Sequence, residues 1–125
     1  MLLDRAQESL RAAELCLEAG LVNSAATRAY YAMFQAAQVA VEAAGGARVR
    51  WSHAALQATF TTQMIRRRKA YPASLRGHLS AGLSVRREAD YGREGVSWKT
   101  AHRVVRQAAA FVLLVEEGTR HEPKG

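Results

Sequence analysis

One cysteine, Cys16, occurs in 125 residues, which excludes an intramolecular disulfide and any metal centre built on a cysteine cluster. Glycine (9) and proline (2) are modest beside a hydrophobic content of 49%, so the composition is that of a globular chain rather than a disordered one. Strand–turn–strand patterning is missing, and with it the strand that a glycine-rich phosphate loop would follow. No two histidines stand at metal-ligand spacing on one helix with a carboxylate, and no serine or cysteine nucleophile arrangement can be assembled. The longest uncharged run, Ala29 to Val41, is too short to span a bilayer and contains two glutamines. The opening "MLLDRAQESL" carries Asp4, Arg5 and Glu8 too early for a signal peptide's apolar core. These absences predict a soluble, cytoplasmic protein without membrane, metal or cofactor.

Acidic residues are also missing where they would matter. None lies between Glu42 and Glu88, an interval that holds Arg48, Arg50, Arg66, Arg67, Arg68, Lys69, Arg76, Arg86 and Arg87. With a net charge of +7, that middle third is the basic part of the chain. Two explanations stand: a surface for the phosphates of a nucleotide or nucleic acid, or a solvated arginine face that reflects composition alone.

What is present is helix-forming. Alanine, Leu, Arg, Glu and Gln dominate. Leu3, Ala6, Leu10, Ala13 and Leu17 recur at helical spacing over about 2–19 and stop at Gly20. A second helix, with Asn23 or Ser24 as its cap, runs to Gly45-Gly46. Ser52 caps a third over about 53–69, with Leu56, Phe60 and Met64 on one stripe. Pro72 opens a fourth through Leu75, Leu79, Leu83 and Arg86. Ser97 caps the last, whose apolar face is Ala101, Val104, Val105, Ala108, Phe111, Val112 and Val115. Short connections predict an all-α, up-and-down bundle of four to five helices, one domain over residues 1–117 with a polar tail over 118–125.

The second helix concentrates bulk in "TRAYYAMFQAAQ". Ala25, Ala29, Ala32, Met33, Ala36, Ala37 and Ala40 make a small-residue stripe, flanked by Tyr30, Tyr31 and Phe34. By itself this is the central helix of a bundle. Arg28, a turn from the aromatics, is either a partly buried ion-pair member or a phosphate ligand.

The stretch "SAATRAYYAMFQAAQVAVEAAG" resembles the helix-two signature of the HEPN domain family, with its "S-A-x-x-R-A-Y-Y-A-x-F" core. "SHAALQATF" resembles the family's Ser-His start to helix three, and "SVRREADYG" its "R-x-x-A-D-Y" segment near the end of helix four. The three occur in order, and the resemblance covers about Leu10 to Glu116. It implies a helical bundle that usually dimerises and often works beside a minimal nucleotidyltransferase in a toxin–antitoxin pair. Many members are metal-independent ribonucleases that use an Arg and a His, four to six residues apart on a late helix, across the dimer cleft.

Here that late-helix motif is altered. "RREADY" offers Arg86 and Arg87, then Asp90 where active members place histidine. Metal-independent cleavage needs an acid or base poised near neutrality, which histidine supplies and an ion-paired aspartate does not. Helix two carries Gln35 where relatives often carry a second histidine, and Arg48 with His53 satisfies the count only across a loop. A homodimeric nucleotide- or RNA-binding protein with weak or no nuclease activity is therefore expected, partnered by a nucleotidyltransferase. Arg86, Arg87 and Asp90 would form its cleft, with Arg28, Tyr31 and Tyr91 beside them. Tyr91 either stacks on a base or caps the end of the bundle. The run Arg66 to Lys69 is expected to be a solvated helix end. Two alternatives remain: a ribonuclease toxin pairing Arg86 or Arg87 with His53 or His102, and a protein–protein adaptor.

Overall fold

A computed structural model describes residues 2–45 and 50–120. Its elements are α1 (Leu2–Glu18), α2 (Val22–Ala43), α3 (His53–Thr59) running into a π-helical segment (Phe60–Arg67), α4 (Ser74–Tyr91) and α5 (Trp98–Arg120). The described residues are helical with no strands, as expected for a bundle. Arg48 lies outside the described residues, so the Arg48–His53 pairing does too. The last helix continues through Gly118 to Arg120.

Local signals account for most of the boundaries. At Gly20, φ is +77°, and the Leu21 and Gly20 amides bond to the carbonyls of Cys16 (2.8 Å) and Leu17 (3.0 Å). That pair of bonds closes α1 as a Schellman motif, which needs the left-handed conformation glycine adopts without strain. Ser52 Oγ accepts from the Ala55 amide (3.0 Å) and Ser97 Oγ from the Thr100 amide (3.1 Å), so both expected caps are formed. The cap expected on α2 is not. Leu21 occupies that position with no side-chain bond, while Asn23 Oδ1 accepts from the Val96 amide (2.9 Å). Asn23 therefore ties the α4–α5 loop to the start of α2 instead of closing its own helix.

The third helix is not uniform. From Phe60 to Arg67 its register widens to π, and the Arg68 amide reaches back to the Gln63 carbonyl (3.1 Å). Phe60 and Met64 stay buried as expected, and the wider turn brings Thr61 in as well, 8% exposed.

Every residue of the α2 stripe is buried, and so is the whole apolar face expected on α5. Alanines along α2 let α1 and α5 lie close against it, and Gly82 does the same for α4. A Cβ at position 82 would stand 2.6 Å from Met33 Cε and 3.3 Å from Tyr30 Cδ1, so this glycine lets α4 cross α2 beside the aromatic cluster. Phe60, Tyr71 and Phe111 stack at centroid separations of 5.4–5.6 Å and fill the space under the third helix. The small-residue stripe is thus consumed within one chain. It is covered by α1 and α5 and offers no surface to a second copy.

Candidate functional site

Tyr30 and Tyr31 are neighbours in sequence but serve different surroundings. Helical geometry turns successive side chains about 100° apart. Tyr30 is 2% exposed and its hydroxyl lies 2.7 Å from His53 Nδ1, while Tyr31 stands half-buried on the flank facing the end of α4. His53 is at the first turn of α3, held there by the Ser52 cap, and its ring also meets Phe34 edge-on at 5.1 Å.

The flank around Tyr31 is a charged clamp. The guanidinium carbons of Arg28 and Arg86 lie 5.6 and 5.2 Å from the Tyr31 ring centroid, within cation–π range. Arg86 Nε donates to Asp90 Oδ2 (3.0 Å), the i, i+4 pair expected from the sequence, and Thr27 Oγ1 donates to Asp90 Oδ1 (2.6 Å). Both carboxylate oxygens of Asp90 are therefore engaged. That fixes the Arg86 guanidinium against the tyrosine face and leaves Asp90 ill-placed to deliver a proton. A shallow cavity of about 330 Å³ beside it is lined by Asn23, Ser24, Thr27, Arg28, Ala89 and Asp90.

A larger cavity of about 490 Å³ opens between α3, its π-helical continuation and α4. Its wall carries His53, Gln57, Thr61, Arg66, Arg76 and Arg87, and none of its lining residues is acidic. Arg76, Leu83 and Arg87 reach it because positions seven and eleven residues apart return to roughly the same helix face. Gln57 donates to Ser80 Oγ and joins the two walls. Its volume suits a small-molecule ligand.

Burial and charged neighbours set the electrostatics at His53. Burial first, then the positive charges of Arg86 and Arg87, push the His53 pKa below its usual 6.5. Burial pushes the Tyr30 hydroxyl up to about 12, against the opposing pull of Arg86. At neutral pH Tyr30 keeps its proton and can donate it to Nδ1 of a neutral His53, which leaves Nε2 as the ring nitrogen open to a ligand.

Of the expected site residues, Arg28, Tyr31, Arg86 and Asp90 come together at the clamp, and Arg87 joins His53 in the larger cavity. Tyr91 is 78% exposed and does not cap the bundle. Arg66 is no idle helix end, for it lines the cavity with Arg87, while Arg68 Nη2 donates to the Ala44 carbonyl (3.3 Å). His102 stacks on Trp98 and lines a different groove, so of the two histidines proposed for a nuclease only His53 sits with Arg87. Gln35 faces α1, its amide nitrogen within 2.7 Å of Ser9 Oγ and 3.0 Å of the Arg5 carbonyl. Sequence reasoning missed Thr27, Tyr30 and Arg76. The eleven-residue interval between Arg76 and Arg87 was a usable signal for the last.

Among the described residues no group of three His, Cys, Asp or Glu side chains gathers to hold a metal, and no helix is long and apolar enough to cross a membrane. The helical bundle and the order of its signature segments agree with a family-wide comparison, in which the HEPN domain matches residues 1–118. The chain belongs to the HEPN domain family. No curated protein matches it.

Proposed function

We propose that the protein binds the phosphates of a nucleotide or short RNA in the cavity between α3 and α4, with the Arg86 clamp as its rim. It would do so as the homodimeric partner of a minimal nucleotidyltransferase in a toxin–antitoxin-like pair, with little nuclease activity of its own. The observation that carries the binding is the cavity wall. Arg66, Arg76 and Arg87 converge there with His53 and without a lining carboxylate, an arrangement that favours an anion with several oxygens. Dimer and nucleotidyltransferase rest on the family alone, since the α2 stripe is covered within the chain. Sedimentation at micromolar concentration is expected to give a dimer, and a monomer throughout would remove that part.

The direct test is the titration of His53. Arg86 and Arg87 hold its pKa down, so a bound phosphate that neutralises them must raise it. Histidine NMR titrations with and without a mononucleotide are expected to show His53 moving upward. The linkage has a defined sign. Because the folded pKa lies below the unfolded 6.5, this histidine's contribution to stability is complete above about pH 6.5. It falls as pH drops towards the folded pKa. His53→Asn should flatten that slope, and a nucleotide should shrink it. A His53 resonance indifferent to nucleotide would defeat the reading.

A second reading has one specific observation behind it. The Tyr30–His53 hydrogen bond beside Arg86 and Arg87 resembles an oriented general base near phosphate-binding cations. With Asp90 tied to Arg86 and Thr27, purified protein is expected to cleave RNA poorly without metal, and Asp90→His to raise cleavage. Robust cleavage by the unaltered protein, lost in His53→Ala, would replace the binding reading with the nuclease.

A further inference from the structure

On the opposite flank of α4 from the His53 cavity runs a second basic groove, lined by His78, Lys99, His102, Arg103, Arg106, Gln107 and Ala110. Its volume is about 450 Å³. Lys99, Arg103 and Arg106 stand at i, i+4 and i+7 on the exposed side of α5, a rise of about 10 Å along one face. No acidic residue occurs in α5 before Glu116, and none of the three cations has a carboxylate partner among the described residues. At the head of this row Trp98 is 54% exposed and stacks on His102, with centroids 4.7 Å apart and rings 17° from parallel. Two buried atoms, His78 Nδ1 and Gln107 Oε1, have no hydrogen-bond partner among the described residues.

The surface features narrow the occupant. A row of unpaired cations selects a polyanion and would accept an acidic protein as readily as a nucleic acid. An exposed indole already stacked on an imidazole adds a flat surface that a nucleobase can extend. Acidic side chains gain nothing from it. Bases are free to stack in this way only when they are unpaired, which excludes a duplex as the preferred form. His78 Nδ1 and Gln107 Oε1 lie out of reach of the groove's surface and take no part in that selection.

We propose that this groove is a binding site for single-stranded nucleic acid, with Trp98 and His102 as the stacking platform and Lys99, Arg103 and Arg106 as the phosphate track. It is separate from the cavity at His53. Its position on the other side of α4 allows one strand to be held outside while a nucleotide occupies the cavity.

Tryptophan fluorescence tests this directly, because Trp98 is exposed and the other tryptophan, Trp51, is 8% exposed. A twelve-nucleotide oligo-uridylate, inorganic polyphosphate of similar charge, and polyglutamate are each titrated into the full chain. The oligonucleotide is expected to quench emission, and the two base-free polyanions are not. Trp98→Leu, followed by the anisotropy of a labelled oligonucleotide because the Trp98 reporter is gone, should weaken binding at least fivefold, with Trp98→Tyr restoring most of it. Changing Lys99, Arg103 and Arg106 together to Gln should weaken it tenfold or more and lower the salt slope by about 2, at about 0.7 per charge for single strands. These side chains are exposed, so the variants should melt as the parent does by circular dichroism.

Separation of the two sites is read in the same series. Arg87→Ala should leave the quench intact, and Trp98→Leu should leave the nucleotide shift at His53 intact. Loss of the quench in Arg87→Ala would overturn the second site. Equal binding of all three polyanions with no effect of Trp98→Leu would also overturn it, in favour of an acidic protein partner.

Discussion

Replacing Arg86 and Arg87 together with Ala is expected to weaken binding of nucleotide and short RNA by an order of magnitude or more. Each charge-assisted contact to a phosphate contributes roughly 1.5–3 kcal/mol. The two residues act differently. Arg87 lines the cavity itself, whereas Arg86 is fixed by Asp90 and packed on the Tyr31 face at the rim. Removing Arg86 alone would also expose the Asp90 carboxylate to the incoming anion. Asp90→Asn in the Arg86→Ala background should therefore recover part of the loss, a cross-effect that a merely diffuse positive surface would not produce. Arg66→Ala should weaken binding as well, since Arg66 shares the cavity wall with Arg87. Arg67→Ala, outside that wall, should change little beyond the salt slope. Calorimetric titration at two salt concentrations separates these outcomes. Equal losses from all four positions would mean a diffuse field, and no loss from any would leave the adaptor reading.

The largest expected effect on stability is at Phe111. It is fully buried, and its ring packs 5.4 Å from Phe60, which in turn stacks with Tyr71. Phe111→Ala leaves a cavity at the meeting of α5 with the third helix, and such truncations cost about 3–5 kcal/mol. Against a typical total of about 5–15 kcal/mol, that is a large share of the folding free energy. A fall in melting midpoint of roughly 10–20 °C should follow for a domain of this size. Leu113→Ala is the control, since Leu113 lies on the same helix but is 52% exposed. Its effect should stay within about 0.5 kcal/mol. Similar losses at both positions would mean that the aromatic stack is not the organising contact.

The His53 neighbourhood shows how the two predictions meet. Phe60 and Phe111 set the depth of the third helix in the bundle, and the Ser52 cap sets where that helix begins. His53 is the residue after the cap, so its approach to Tyr30 depends on both. Partial loosening of the aromatic stack should weaken the Tyr30–His53 bond and lessen the burial of His53, so that its pKa moves back towards 6.5.

What the sequence determined by itself was local. Helix positions, the Ser52 and Ser97 caps, the buried faces of α2 and α5 and the Arg86–Asp90 pair depend on residues a few positions apart. Helical periodicity and i, i+4 geometry are enough to read them. The three ordered signature segments carried the family for the same reason, being contiguous strings. The tertiary structure alone decided which distant residues meet. Tyr30 with His53, Asn23 with Val96, Thr27 with Asp90, and Arg66 with Arg87 depend on how helices cross and how near they come. Those distances follow from side-chain volumes at the crossings, Gly82 against Met33 among them, and no short-range preference encodes them. The same packing parted His102 from His53, although in sequence either could have served Arg87. It also used up the alanine stripe of α2, because α1 and α5 bury that face within the chain.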